Sequence, residues 1–258
     1  MACVAGTDPC PTGTIYVPCG PFVMGSDPGE GDSDEEPEHV FDLSAYCLDA
    51  AEVTNREYAS CVSAGGCTMP GVVSSDTRAT YDGNPTYDAF PVIHVSWFQA
   101  DACCDWVGKR LPTEAEWEKT ARGGCELRAP AGCGPEDETR YPWGEAELDC
   151  TLANFVGCVG DVDRGAARPA GDGAYGAHDL VGNVQEWVGD RYLGTAYDAC
   201  RSTVCVDPTG PAMTTEKVFR GGHWGSVPEE VHAANRFRQA PGFYDDRTGL
   251  RCAVSFAE

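Results

Sequence analysis

The alternation of apolar and polar positions predicts short strands in the first fifty residues. Two alternating stretches, Ile15–Val17 and Phe22–Met24, flank a Pro-Cys-Gly-Pro turn and resemble a β-hairpin. A further strand is predicted over Val40–Leu48. The intervening segment 27–38 is rich in Asp and Glu without the spacing of a known calcium loop, so a solvated surface loop is favoured there.

Three capping boxes predict three helices. In each, a Ser or Thr side chain accepts a hydrogen bond from a free backbone N–H at the helix start. The side chain of a Glu or Gln three residues later accepts one from the backbone N–H of that Ser or Thr. The boxes are Thr54/Glu57, Ser96/Gln99 and Thr113/Glu116, and the helices should end near Ala64, Gly108 and Gly123. From 123 to 172 the periodicity is lost, which predicts loops.

Composition adds a loop-rich, strongly acidic character. The chain has 258 residues, 31 Gly, 18 Pro and a net charge of −23. This length suffices for a sizeable core, and the charge excludes nucleic acid and anionic membranes as main partners. No run is long and apolar enough for membrane insertion.

Fifteen cysteines without a repeated C-x-x-C pair favour disulfides over zinc. Disulfides imply an oxidising compartment, hence a periplasmic, cell-surface or extracellular protein. The odd count leaves one thiol free or paired outside the chain, which would allow self-association. Close spacing suggests four local pairs, which remain hypotheses: Cys61/Cys67, Cys125/Cys133, Cys150/Cys158 and Cys200/Cys205.

Six motifs then occur in a fixed order, and together they resemble the formylglycine-generating enzyme family, also called the sulfatase-modifying-factor family. They are RLPTEAEWE (110–118), YPWG (141–144), AN (153–154), DLVGNVQEW (179–187), FRGGHW (219–224) and GLRCA (249–253). The resemblance runs from about Ile15 to Ala253. It implies an α+β, C-type-lectin-like fold, loop-rich and stabilised by disulfides and calcium. We expect one such domain over 15–258, preceded by a disulfide-pinned arm over 1–14, and the resemblance also implies a Cys104–Cys252 disulfide.

The resemblance implies two structural calcium sites. The first would use the side chains of Asn154 and Asp161 with the carbonyls of Phe155 and Asp163. The second would use the side chains of Asp179 and Glu186 with the carbonyls of Gly182 and Val184. Judged without the resemblance, the segment 179–186 is either a polar turn before a buried Trp or a set of oxygen ligands for a hard cation.

The reaction centre of the family departs from its pattern here. The family's founding activity oxidises a peptide cysteine at a copper(I) ion held by two cysteines after a Gly-Gly-Ser motif. The segment 221–233 of this chain contains no cysteine, and Ser226 and Val231 stand at the two positions. A hydroxyl and an isopropyl group do not hold copper(I), so this departure from the family pattern argues against copper and leaves enzymatic activity open.

Other catalytic candidates in this segment are His223, Ser226 and His232. The two histidines with Glu229 and Glu230 offer ligands that suit iron(II) or copper(II). The alternative is an exposed acidic turn followed by a strand over Val231–Phe237.

The resemblance also implies a ligand cleft lined by Gln185, His223, Trp224 and Arg236. Nearby arginines with Phe243 and Tyr244 would bind a carboxylate ligand or pair internally with Asp245 and Asp246; both alternatives stay open for Arg236, Arg238 and Arg247.

Three hypotheses follow for function. The first is an exported, calcium-stabilised, non-catalytic module that binds a protein or small ligand through the cleft. The second is a metal-dependent oxidoreductase acting on a peptide or small thiol. The third is a disulfide-linked structural or surface assembly protein.

Overall fold

The computed structural model describes residues 10–27, 29–127, 133–134, 139–200 and 203–256. In this part of the chain, three small sheets surround three α-helices. The helices are α1 (Asn55–Ser63), α2 (Trp97–Trp106) and α3 (Glu114–Arg122). The strands are β1 (Thr14–Val17), β2 (Gly20–Met24), β3 (His39–Leu43), β4 (Tyr46–Asp49), β5 (Gln185–Arg191), β6 (Cys205–Val206), β7 (Lys217–Arg220), β8 (Arg236–Gln239), β9 (Thr248–Leu250) and β10 (Ala253–Ser255).

The helix predictions are confirmed to within a few residues at each end. All three capping boxes are formed, with reciprocal hydrogen bonds between the cap residue and the third helical residue. In α3, Gly123 has a φ of 86° and takes the first non-helical position. This left-handed conformation is accessible to glycine at little cost, which explains why the helix stops there.

The predicted N-terminal hairpin is wrong. β1 and β2 form where expected, but β1 pairs with β4 and β2 pairs with β3. The strand predicted over Val40–Leu48 is divided into β3 and β4, and each half serves a different sheet. Pairing with separate strands buries Val17 and Phe22 in one core cluster, which a two-stranded hairpin could not provide.

The four-stranded sheet has the order β8-β7-β5-β9 and presents two different faces. One face is apolar: Trp187, Phe219 and Leu250 pack in the cluster that contains residues of α2. The other face points at α3 and carries buried charges. Here Arg236 pairs with Glu114, and Arg220 pairs with Glu118.

Disulfides fasten this arrangement. The predicted Cys104–Cys252 bridge is present, and so are the four local pairs. Cys10–Cys47 ties the end of the predicted arm to β4, although the domain boundary at residue 14 stays a prediction. Among the described cysteines, Cys103 carries a free thiol, and this thiol is buried.

None of the helices in the described part of the chain has the length and apolar character of a membrane-spanning helix.

Candidate functional site

The two predicted calcium loops meet at a buried asparagine, Asn183. Its side-chain oxygen accepts from the backbone N–H of Asp163 at 2.8 Å and from Nδ2 of Asn154 at 3.2 Å. Its Nδ2 donates to Glu52 at 2.9 Å. Asn183 has a φ of 58° and Asp179 a φ of 50°, so two non-glycine residues of the second loop adopt the left-handed conformation. Such backbone persists only where the surroundings enforce it, and it is frequent at binding sites.

Glu52 is a site residue that the sequence analysis missed. It is buried just before α1, and its Oε2 atom has no hydrogen-bond partner. Burial and then the neighbouring Asp179 raise the pKa of Glu52 well above its usual range. Burial likewise raises the pKa of Asp179. Two adjacent buried carboxyl groups, one with a free oxygen, are a donor set that fits a hard cation such as calcium.

Glu186, the other predicted side-chain ligand of the second loop, is already neutralised. Arg251 binds its carboxylate in a bidentate manner at 2.6 and 2.7 Å, and Trp117 Nε1 donates to it at 2.8 Å. The predicted carbonyl ligands lie close by in a tightly packed loop. Gly182 has a φ of 80°, and an added Cβ would lie 2.5 Å from the carbonyl oxygen of Asn154. Val184 is buried. Glu52 and Asp179 are therefore the carboxylates with capacity for a cation.

The first predicted loop satisfies its acid internally. The buried carboxylate of Asp161 accepts from Ser75 and Thr77 and pairs with Arg78 at 3.2 Å. Although burial acts to raise it, the hydrogen bonds from Thr77 and Ser75 lower the pKa of Asp161. Asn154 contacts the backbone carbonyl of Asp161 instead of this carboxylate.

The other members of the first set are also engaged. Asp163 pairs with Arg168 at 2.9 Å, and the carbonyl of Phe155 accepts from Cys158 N–H at 3.0 Å. The structure thus offers this loop no unpaired carboxylate, and calcium there remains a prediction without that support.

The two positions expected for the copper ligands do come together, beside Gly222. Ser226 Oγ lies 3.5 Å and Val231 Cγ2 lies 3.6 Å from the point where a Cβ on Gly222 would be. Ser226 is 1% exposed and Val231 is fully buried. The two side chains therefore lie next to the same glycine, but they present one hydroxyl and one isopropyl group instead of two thiolates.

The histidines of this segment lie in different surroundings. His223 is half-buried; burial and then the charge of Arg247 lower its pKa to about 4, and its Nδ1 accepts from Gly225 N–H at 3.0 Å. His232 instead contacts Glu35 at 3.1 Å. Within the described residues, the one group of three His, Cys, Asp or Glu side chains close enough to share a metal ion is Cys61, Cys67 and Cys103. The two histidines do not form such a centre.

The strand predicted over Val231–Phe237 begins only at Arg236. The preceding residues Pro228–Glu230 form a single 3-10 turn. Val231 closes this turn, because its backbone N–H donates to the carbonyl of Pro228, and the strand therefore starts later.

Three of the four predicted cleft residues lie around the segment 245–247. The backbone N–H of Gln185 donates to the carbonyl of Arg247, and Trp224 Nε1 donates to the carbonyl of Asp246. Trp224 is also covered by the guanidinium of Arg247, 5.5 Å from its ring centre. His223 lies next to the same guanidinium.

Arg236 lies elsewhere, on the charged face of the sheet. It binds both carboxylate oxygens of Glu114, at 2.7 and 2.9 Å, and stacks over Tyr192 and Tyr197. It pairs with neither Asp245 nor Asp246, and its place in the cleft stays a prediction that these contacts do not support. Arg247 does pair with Asp246, at 3.6 Å.

Comparison with known proteins identifies the family. The family model described as a sulfatase-modifying factor enzyme 1-like domain matches residues 4–256. This chain belongs to the sulfatase-modifying-factor family. A formylglycine-generating enzyme of Thermomonospora curvata is 30% identical over 302 residues, which cover 94% of this chain and 93% of that protein.

Other proteins similar to this chain carry different names. A Chlamydia caviae protein named serine/threonine-protein kinase pkn1 is 34% identical over 252 residues, or 94% of this chain. The chain spans 38% of the length of that relative. The structure of PvdO from Pseudomonas aeruginosa superposes with a TM-score of 0.73 and 24% identity, covering 94% of each chain. This likeness confirms the predicted C-type-lectin-like α+β fold.

Proposed function

We propose that the protein is a non-copper member of the sulfatase-modifying-factor family, which binds a peptide segment or small ligand and does not oxidise it. The observation that carries this proposal is the pairing of Ser226 with Val231 beside Gly222. Neither side chain offers the soft thiolate that copper(I) requires.

The ligand surface we propose is the area around His223 and Arg247, whose guanidinium covers the buried Trp224. Its rim would include the exposed side chains of Val227 and Tyr244, which lie three residues from Trp224 and Arg247 in the sequence. The pKa of His223 is so low that this imidazole is neutral at physiological pH, whereas Arg247 supplies a positive charge. An apolar rim around one cation suits a peptide that carries an acidic residue next to apolar ones.

Calcium is the second part of the proposal. One ion would be held by Glu52 and Asp179 near Asn183, where it would offset two adjacent buried carboxylates. Its role would be to order a loop-rich segment. The disulfides are compatible with an oxidising compartment, and we propose an exported protein on that basis.

The experiment is elemental mass spectrometry of natively purified protein, followed by incubation with copper(I), oxygen and a cysteine-containing peptide. We expect bound calcium, no stoichiometric copper or iron, and no aldehyde product. Stoichiometric copper or iron, or an aldehyde, would refute the non-copper assignment. Absence of calcium would refute only the role given to Glu52 and Asp179.

A peptide array tests the ligand surface. We expect Arg247→Met to weaken the binding of the peptides that the wild type captures by about tenfold, or about 1.4 kcal/mol. Arg56→Met is the matched control, because Arg56 is 70% exposed and lies on α1. Equal effects of the two substitutions would place the ligand elsewhere.

A further inference from the structure

Three cysteine sulfurs meet between α1 and α2. Cys61 lies in α1, Cys67 follows it, and the two form a disulfide across a separation of six residues. Cys103 lies in α2 with a free thiol. All three sulfur atoms are within 4.8 Å of one another.

Their surroundings separate the three sulfurs by solvent access. Cys61 is fully buried, Cys103 is 3% exposed and Cys67 is 9% exposed. Cys103 also lines a cavity of about 340 Å³, together with Trp106 and Lys109. A small molecule in this cavity would therefore contact Cys103, the cysteine of the three that carries the free thiol.

Thiol–disulfide exchange needs a thiolate near the sulfur of a disulfide. In this chain the free thiol and a disulfide share one buried cluster. The neighbour of Cys103 in the sequence, Cys104, belongs to a different disulfide, which joins it to Cys252 across 148 residues.

We propose that Cys61, Cys67 and Cys103 form a thiol–disulfide exchange centre, in which the Cys103 sulfur replaces Cys67 as the partner of Cys61. Cys103 loses its proton and attacks Cys61 Sγ, the Cys61–Cys67 bond breaks, and Cys67 leaves as a thiolate that takes up a proton. One disulfide and one thiol are present before and after, so the step needs no oxidant or reductant. Cys67 is the leaving group because its greater exposure stabilises the thiolate.

Burial of Cys103 and the charges around it control the rate of exchange. Burial and then Glu57 and Asp49 raise the pKa of Cys103 to about 12, and Lys109 acts in the opposite direction. Tyr58, which also interacts with this thiol, is itself neutral because burial raises its pKa. Exchange is therefore slow at neutral pH, and its rate rises roughly tenfold per pH unit with the thiolate fraction.

The exchanged form differs in its connections. The covalent tie moves from within the segment 61–67 to a link between α1 and α2. The thiol moves from Cys103 to Cys67, where an alkylating agent or a small disulfide can reach it more easily. Cys67 thus becomes a modification site only after exchange.

Substitution of the leaving cysteine tests the geometry. Cys67→Ser, refolded with oxidised and reduced glutathione, should form a Cys61–Cys103 disulfide. It should then show one titratable thiol fewer than the wild type when denatured and reacted with Ellman's reagent. Cys150→Ser is the matched control, because it opens another short-range disulfide and should show one thiol more than the wild type. One thiol more in Cys67→Ser as well would overturn the proposal.

Labelling of the wild type tests the exchange itself. Native protein is incubated at pH 7 and pH 9 with a maleimide, and the labelled residues are located by differential alkylation and tandem mass spectrometry. We expect label on Cys67 that accumulates faster at pH 9, and its loss in Cys103→Ser. Label on Cys103 alone would overturn the proposal. Equal label on Cys150 and Cys158, which are joined in another disulfide, would also overturn it, because it would indicate general disulfide scrambling.

Discussion

Removal of the Arg251 guanidinium should be among the most destabilising substitutions in the molecule. Arg251 is fully buried, and its partner Glu186 is 1% exposed. The guanidinium donates twice to Glu186 and also to the carbonyls of Asp49 and His178. In Arg251→Met, the carboxylate of Glu186 would stay in the core without its cation.

The magnitude follows from that burial. Breaking a buried ion pair by removal of one partner costs about 3–5 kcal/mol, which is a large share of the about 5–15 kcal/mol of a typical domain. The loss should exceed that for an ordinary buried arginine, because Glu52 and Asp179 also lose the positive charge that offsets them. The expected shift of the guanidinium chloride midpoint is on the order of 1 M.

Tryptophan fluorescence during unfolding of the oxidised protein measures this shift. Arg56→Met serves as the control, because the Arg56–Asp88 pair is exposed and should change stability by no more than about 0.5 kcal/mol. The double variant Arg251→Met/Glu186→Gln should recover part of the loss, since it removes the uncompensated charge. If the double variant is as unstable as Arg251→Met, or if Arg251→Met resembles Arg56→Met, the reasoning from buried charge is refuted.

Three further predictions concern pH, helix capping and calcium. Burial and then Glu114 raise the pKa of Asp190 to about 7, so its contribution to stability is full below about pH 4 and is lost as the pH rises toward 7. The denaturation midpoint of Asp190→Asn should therefore rise relative to that of the wild type over this pH range. A difference between the two midpoints that does not change with pH would contradict this. Thr113→Ala should cost about 1 kcal/mol through loss of the N-cap, read as a lower melting temperature, whereas Ser63→Ala at the end of α1 should cost less, and equal costs would argue against the cap. Glu52→Gln should raise the melting temperature measured in the presence of a chelator and reduce the increase in melting temperature that calcium produces. An unchanged increase would show that calcium binds elsewhere.

The helix starts could be predicted because their chemistry is local. Thr54, Ser96 and Thr113 each interact with a residue three positions away, so sequence and structure contain the same information. Strand pairing is not local in this way. Ile15 lies opposite Leu48, and Phe22 opposite Phe41, because core packing selects partners that no turn motif specifies.

The site was predictable to the same extent. The turn around Asn183 and the substitution of the copper positions could be located from motifs, since each is a contiguous segment. Glu52 could not, because it reaches Asn183 from a distant part of the chain; an acidic residue within the apolar run before α1 is the signal that was available. The resemblance that implied a cleft role for Arg236 does not reveal that its side chain on β8 binds Glu114 of α3.

The sheet β1-β4-β10 has a consequence for how the molecule is made. The residues of its central strand, β4, are translated early. Its second neighbour, the bridge to Cys104 and the cation for Glu186 come from β10 and the two residues before it. Until residues 251–255 have emerged, β4 keeps an open edge and Glu186 has no counter-ion. The domain therefore matures after translation of this region, and a nascent chain halted before Arg251 would be a substrate for chaperones and proteases.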